Sequence, residues 1–389
     1  MASTLDPAPT PEPLRAPAIP RVLGVRRGAA PGPSLVVVGG IHGNERAGIA
    51  AAQRVLAALA RDPRALRGEL VVLSGNRAAL DRGIRYQTKD LNRQWSAQSL
   101  ARVRAQGPAD PEDAELLELE AAIEAAIARA RGEVHLMDLH TTSAHGIPFV
   151  LFGDTMRQRR FGFSFPLPVI LGLEEMVDGV MSGYFTQRGC ISLAIEGGQH
   201  DDPASVESLE ACLWVGLVSA GLIDAARVPE YEAARRVLAA RRKHLPPVME
   251  VTRRHAITVE DEFRMEPGFA NLDPVRGGQL LAHDARGEIR APRDGLVILP
   301  LYQGLGSDGF FWGRRVGRTR MKATEVVRKL SLDRLLPYLP GVRRDPRDES
   351  TLRADTRVAR HYPLDVFHVF GYRRIRQDGD ELVVTRQPL

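Results

Sequence analysis

Cysteine is nearly missing from this chain: there are two, Cys190 and Cys212, in 389 residues. That excludes a disulfide framework, and with no Cys-x-x-Cys any metal must be held by histidine and carboxylate. Long apolar runs are missing as well. The longest uncharged apolar run, Ala211 to Ile223, is too short to span a bilayer. Met1 to Pro20 has no apolar centre of the kind a signal peptide needs, so a cytoplasmic protein is expected. Nor does one sign of charge dominate. The 53 Lys and Arg stand against 48 Asp and Glu, for a net charge of +5, and no segment gathers basic and aromatic residues. Neither nucleic acid nor a membrane is therefore an expected partner. What is present, 44% hydrophobic and 26% charged residues, suits a globular protein with one large or two ordinary domains.

Residues 1–20, broken by Pro7, Pro9, Pro11, Pro13 and Pro17, are expected to be a disordered tail. From 21 to about 245, strand and helix signals alternate. Continuous apolar runs at 34–39, 69–73, 134–139 and 190–195 read as buried strands. An Ala-rich segment at 45–60 reads as a helix. Asp110-Pro111 and Asp202-Pro203 each supply a cap and a first-turn proline for helices running to about 131 and 223. The fold class that follows is α/β: a mixed, mostly parallel sheet with helices on both faces. After the charged, Pro-containing stretch Arg241 to Pro247, strand signals at 257–259, 278–281 and 295–299 with turn residues between them predict a smaller β-rich domain over 246–320. The last segment, 321–389, is a C-terminal extension with a short helix and a hairpin at Gln377-Asp-Gly379, and its sequence assigns it no role.

The chemistry concentrates where strands end. The first run closes on Gly39-Gly-Ile-His42-Gly-Asn-Glu45, the third on Asp138-Leu-His140 and the fourth on Ile195-Glu196-Gly-Gly198. Ligand crevices of open α/β sheets form at the carboxyl ends of their strands. Two imidazoles and a carboxylate are a catalytic zinc set with a fourth position open for water. His42, Glu45 and His140 are accordingly the candidate ligands of one Zn²⁺ per chain, and Glu196 is the candidate general base, a role worth roughly 10²–10⁴-fold. A His-x-x-Glu pair alone is equally at home capping a helix. Four such residues at three strand ends, flanked by glycines that allow close turns, argue for the metal. Arg85, Asn92 and Arg93 form a second cluster that suits a substrate carboxylate and an oxyanion, although a polar surface loop has the same composition.

Together these motifs resemble the succinylglutamate desuccinylase/aspartoacylase family, a branch of the zinc carboxypeptidase-like fold, over residues 34 to 320. The resemblance implies that His42, Glu45 and His140 bind zinc, that Glu196 activates water, that Arg85 steadies the carbonyl oxygen and that Asn92 and Arg93 grip the α-carboxylate. It implies a carboxyl-terminal β domain capping the site. Tyr184, Arg188 and Tyr302 are the counterparts it suggests for further substrate contacts. The expected activity is hydrolysis of the amide bond of a small N-acyl amino acid, and a homo-oligomer is compatible with the sequence. A metallocarboxypeptidase acting on small peptides would use the same metal set, and a non-catalytic binding protein would use the same fold. Arg93 and Arg188 facing one cavity would indicate a dicarboxylate substrate, an apolar wall a hydrophobic acyl chain.

Overall fold

The structure is a computed structural model that describes residues 19–61, 66–242, 245–355, 357 and 364–386. The expected disordered tail lies almost wholly outside the described residues.

Residues 22–256 supply β1 (Val22–Arg27), β2 (Ala30–Gly39), β3 (Arg67–Ser74), β4 (Val134–Thr142), β5 (Phe149–Leu151), β6 (Val169–Leu171), β7 (Ile191–Gln199) and β8 (Val248–Ala256). The β-rich part supplies β9 (Arg264–Met265), β10 (Pro274–Val275), β11 (Leu280–Asp284), β12 (Gly287–Arg290), β13 (Gly295–Ile298) and β14 (Asp308–Arg315). An 11-stranded sheet runs in the order β1-β3-β2-β4-β7-β5-β6-β8-β14-β13-β10, and β12-β11-β9 form a small second sheet. The pairs β3–β2, β2–β4 and β4–β7 are parallel. Pairing turns antiparallel at β5–β7 and again from β8 outward.

The apolar runs form strands because both sides of the sheet are covered. Leu35 and Val37 point into one cluster with Leu70, Val72, Met137 and helices 47–61 and 203–219. Val36 and Val38 point the opposite way, into a cluster with Val71, Leu73, Leu136 and helices 111–129 and 181–187. Period-two alternation thus serves two cores at once, and truncating one of these fully buried side chains would cost about 2–5 kcal/mol. Helix 111–129 starts where the sequence says: the Asp110 carboxylate accepts from Asp113 N at 2.9 Å.

In the β-rich part β8, β14, β13 and β10 continue the central sheet. Residues 257–259, expected as a strand, lie just past β8 and lead into a short 3-10 turn at Val259–Asp261, since Ile257 N is taken by Ser307 O in the loop opposite. The extension holds helix 318–329 and a four-stranded sheet of β15 (Val342–Asp345), β16 (Asp348–Asp355), β17 (Tyr372–Asp378) and β18 (Glu381–Arg386). Its last two strands form the expected hairpin, turning at Gly379 with φ 57°. Buried ion pairs tie the extension to β8, to the loop after β5 and to helix 173–176. Arg328 reaches Asp154 at 2.9 Å, and Arg373 reaches Glu250 and Glu175, each at 3.0 Å.

Candidate metal centre and active site

His42 and Glu45 sit in the loop after β2. Gly40 opens that loop at φ 73°, and Gly43 holds it against the next turn: its N–H donates to Arg85 O at 3.0 Å, and a Cβ there would strike the Ala79 backbone. This one close approach fixes His42 and Glu45 and also sets Arg85 beside them. His140 comes from the end of β4, and the parallel register pairs it directly with Glu196 of β7. Four residues that span 155 positions of sequence therefore meet at one rim of the sheet.

The geometry is that of a donor set. His42 Nδ1 lies 2.8 Å from Glu45 Oε1, and His140 Nδ1 lies 2.9 Å from Glu45 Oε2. One ligand atom from each residue falls within 4.8 Å of the others, and all three residues are buried. The far nitrogen of each ring is also held: His42 Nε2 by Asp90 Oδ1 at 3.1 Å and His140 Nε2 by Asp138 Oδ2 at 2.9 Å. Carboxylates behind metal-binding imidazoles fix ring orientation and raise ligand basicity. Thr141 N–H donates to Glu45 Oε2 at 3.1 Å, steadying the third donor.

The charges agree with that use. Burial pushes the Glu45 carboxyl up, but the two imidazoles outweigh it and hold it well below the usual carboxylate range. Burial works against a charged His140, yet Asp138 and Glu45 outweigh it and raise its pKa well above that of a free imidazole. The cluster thus gathers positive charge between carboxylates. A divalent cation supplies that charge without protons, so the residues present fit one.

Glu196 lies beside this centre in a different state. Burial, with Glu45's charge adding to it against the pull of His140, pushes its carboxyl up to about 8. Its Oε2 is buried with no hydrogen-bond partner among the described residues, the state of a group kept for a reactant. Arg85 Nη2 pairs with Asp90 Oδ2 at 3.0 Å, and its Nη1 lies 3.5 Å from Glu45 Oε1.

His42, Glu45, His140, Glu196, Arg85, Asn92 and Arg93 all line one cavity of about 130 Å³. Asn92 is fixed by accepting from Met181 N through Oδ1 at 2.9 Å. Arg93 Nη2 meets Asp308 Oδ2 at 2.7 Å. The far side is the segment between β13 and β14, where Gln303 Oε1 accepts from Asn44 Nδ2 at 2.9 Å and lies 3.2 Å from His200 Nε2.

Three expected substrate residues are not brought in. Tyr184 and Arg188 are one helical turn apart, and both turn toward helix 111–129. Arg188 Nε donates to Glu124 Oε1 at 2.6 Å, and its guanidinium stacks 5.4 Å from the Tyr184 ring, which itself packs against Trp95. Residues of the same segment that do line the cavity are Val180 and Ser182. Tyr302 points outward, donating to Glu266 O at 2.7 Å, while Leu301 and Gln303 on either side of it line the cavity. Conversely, Asp90, Asp138, His200 and Asp308 were not assigned roles from sequence. For Asp138 a signal was available: in Asp138-Leu-His140, residues two apart on a strand share a face.

Residues 31–199 match the family model described as the Succinylglutamate desuccinylase/Aspartoacylase catalytic domain. A succinylglutamate desuccinylase of Chromobacterium violaceum is 28% identical over 182 residues, which is 45% of this chain and 52% of that protein. The chain thus matches about half the length of that relative. The crystal structure of succinylglutamate desuccinylase from Chromobacterium violaceum superposes with a TM-score of 0.52 at 22% identity, covering 75% of this chain and 86% of that one. A succinylglutamate desuccinylase/aspartoacylase from Rhodobacter sphaeroides gives 0.54 at 19% identity over 76% and 88%. The product-bound ectoine utilization protein EutE (DoeB) from Ruegeria pomeroyi gives 0.53 at 20% over 75% and 87%. At these identities the superpositions establish the fold.

Proposed function

We propose, from the premise that this chain belongs through residues 31–199 to the succinylglutamate desuccinylase/aspartoacylase family, that it is a zinc-dependent amidohydrolase that releases the acyl group of a small N-acyl amino acid. The observation that carries the reading is the pairing of a buried His42–Glu45–His140 donor set with an unpartnered, buried Glu196 in the same cavity.

Zinc held by His42, Glu45 and His140 would supply a Lewis acid that polarises the amide carbonyl and acidifies water. The chain's own residues do the rest. Glu196 takes the proton of the attacking water through its free oxygen and returns it to the leaving nitrogen. Arg85, anchored by Asp90, turns its guanidinium to the carbonyl oxygen as negative charge develops there. Asn92 and Arg93 receive the α-carboxylate. Asp90 and Asp138 keep the two imidazoles oriented. Segment 299–308, tied down through Gln303, lines one side of the cavity, and the family match at residues 31–199 favours an acyl amide over the carboxypeptidase alternative. Two free, buried cysteines suit a reducing compartment such as the cytoplasm.

The experiment combines metal analysis with turnover of a panel of N-acyl amino acids. Wild type should hold one zinc per chain. Glu196→Gln should keep the zinc and lose roughly 10²–10⁴-fold in kcat, whereas His42→Ala should lose the zinc. A Glu196→Gln protein of undiminished kcat would remove Glu196 from the reaction. Absence of zinc from the active wild type would remove the metal.

A further inference from the structure

We propose that Asp308 and the aliphatic wall near it make this site selective for N-acyl amino acids that carry one carboxylate and an uncharged, hydrophobic acyl group, and turn away dicarboxylate substrates. The inference rests on the deacylase reading above and narrows it to a substrate class.

The cavity is lined by two arginines, Arg85 and Arg93, against four carboxylates, Glu45, Glu174, Glu196 and Asp308. Both arginines are already engaged by the chain's own acids, Arg85 by Asp90 at 3.0 Å and Arg93 by Asp308 at 2.7 Å. The other Asp308 oxygen accepts from Arg254 Nε. Arg93, Asp308 and Arg254 together therefore carry a net single positive charge, which suffices to draw one carboxylate to Arg93. A second carboxylate finds no further arginine or lysine among the described residues that line the cavity. Arg188, the other cation expected from sequence, lies on Glu124, away from the cavity. What the cavity offers instead is Leu151, Leu173, Val177, Val180 and Phe311, the edge of an apolar cluster continuous with the core. A carboxylate pressed against these groups would lose its water and gain no donor. A methylene placed there leaves water, which is worth roughly a three- to fourfold gain in binding for each one buried.

The test measures kcat/KM of the zinc-loaded enzyme for N-acetyl-, N-butanoyl- and N-hexanoyl-alanine, N-acetyl-aspartate and N-succinyl-glutamate. The expected order is a rise of roughly threefold per methylene along the alanine series, with both dicarboxylates about tenfold or more below N-butanoyl-alanine. Asp308→Asn should narrow that gap by about tenfold, because it returns a full positive charge to Arg93. Val180→Arg, at a half-buried wall position, should raise N-succinyl-glutamate relative to N-hexanoyl-alanine by a similar factor. Dicarboxylates turned over as well as N-butanoyl-alanine, or a gap unmoved in both variants, would overturn the inference and leave the deacylase reading standing. Failure of the zinc-loaded enzyme to cleave any member of the panel would overturn both.

Discussion

Glu250 offers the sharpest check on how the extension is held. It lies on β8, nearly fully buried, with Arg314 Nη2 at 2.7 Å from one oxygen and Arg373 Nη2 at 3.0 Å from the other. Burial pushes its carboxyl up, but His368, Arg373 and Arg314 outweigh it and bring the pKa from 4.5 down to about 2. At about 1.4 kcal/mol per pH unit, that drop corresponds to about 3 kcal/mol of folding free energy. Because the folded pKa is the lower one, this contribution is complete above 4.5 and is lost as the pH falls through about 2. Glu250→Gln should therefore lower the unfolding free energy by about 3 kcal/mol near neutral pH, in line with the cost of leaving buried cations unpaired. The gap to wild type should shrink steadily as the pH is lowered from about 5 toward 2. Urea unfolding curves across that range, followed by circular dichroism and compared at equal m-value, measure it. A gap under about 1 kcal/mol at neutral pH, or one as wide in acid as at neutrality, would refute this electrostatic account of the joint.

Other expectations concern the site. Asp138→Asn leaves His140 without its carboxylate and should weaken zinc affinity by roughly 10–100-fold in a chelator competition; unchanged affinity would mean that Asp138 does not orient the ring. Gly43→Ala forces a methyl against the Ala79 backbone, so thermal stability and zinc content should fall together, with a cost of about 1–3 kcal/mol or more. A stable, fully zinc-loaded Gly43→Ala protein would show that the loop has room to move. Arg188→Ala should alter kcat/KM less than about twofold and stability by under about 1 kcal/mol, as for an exposed ion pair. A tenfold loss of kcat/KM would return Arg188 to the active site.

How much of this was legible in the sequence depends on how each residue is positioned. His42 and Glu45 follow a buried strand and His140 and Glu196 stand near the ends of two more, and parallel strands bring their carboxyl ends together whatever the distance along the chain. The local pattern therefore carried both the fold class and the clustering of His42, Glu45 and His140. Short strands such as β5 and β6, three residues each, left no periodicity to read. They exist because their neighbours offer open edges. That β8, β14, β13 and β10 would continue the main sheet was hidden for the same reason, since β8 joins it through the three-residue β6.

The substrate side was less legible because orientation there is set by partners remote in sequence. Tyr302 stands in the irregular segment between β13 and β14, where its hydroxyl is held by Glu266 O while Leu301 and Gln303 line the cavity. Arg188 is one turn from Tyr184 on a helix whose outer side meets Glu124, and nothing within 181–188 distinguishes that side from the inner one. Asp308 matters only because it meets Arg93 across 215 positions of chain. The proposed chemistry is thus written locally, at strand ends that any sheet of this order must bring together. Selectivity is written in long-range pairings that the same family motifs leave free to change. A chain can keep every motif of the family and still differ from it in substrate, and Arg93–Asp308 is the contact where that difference would arise.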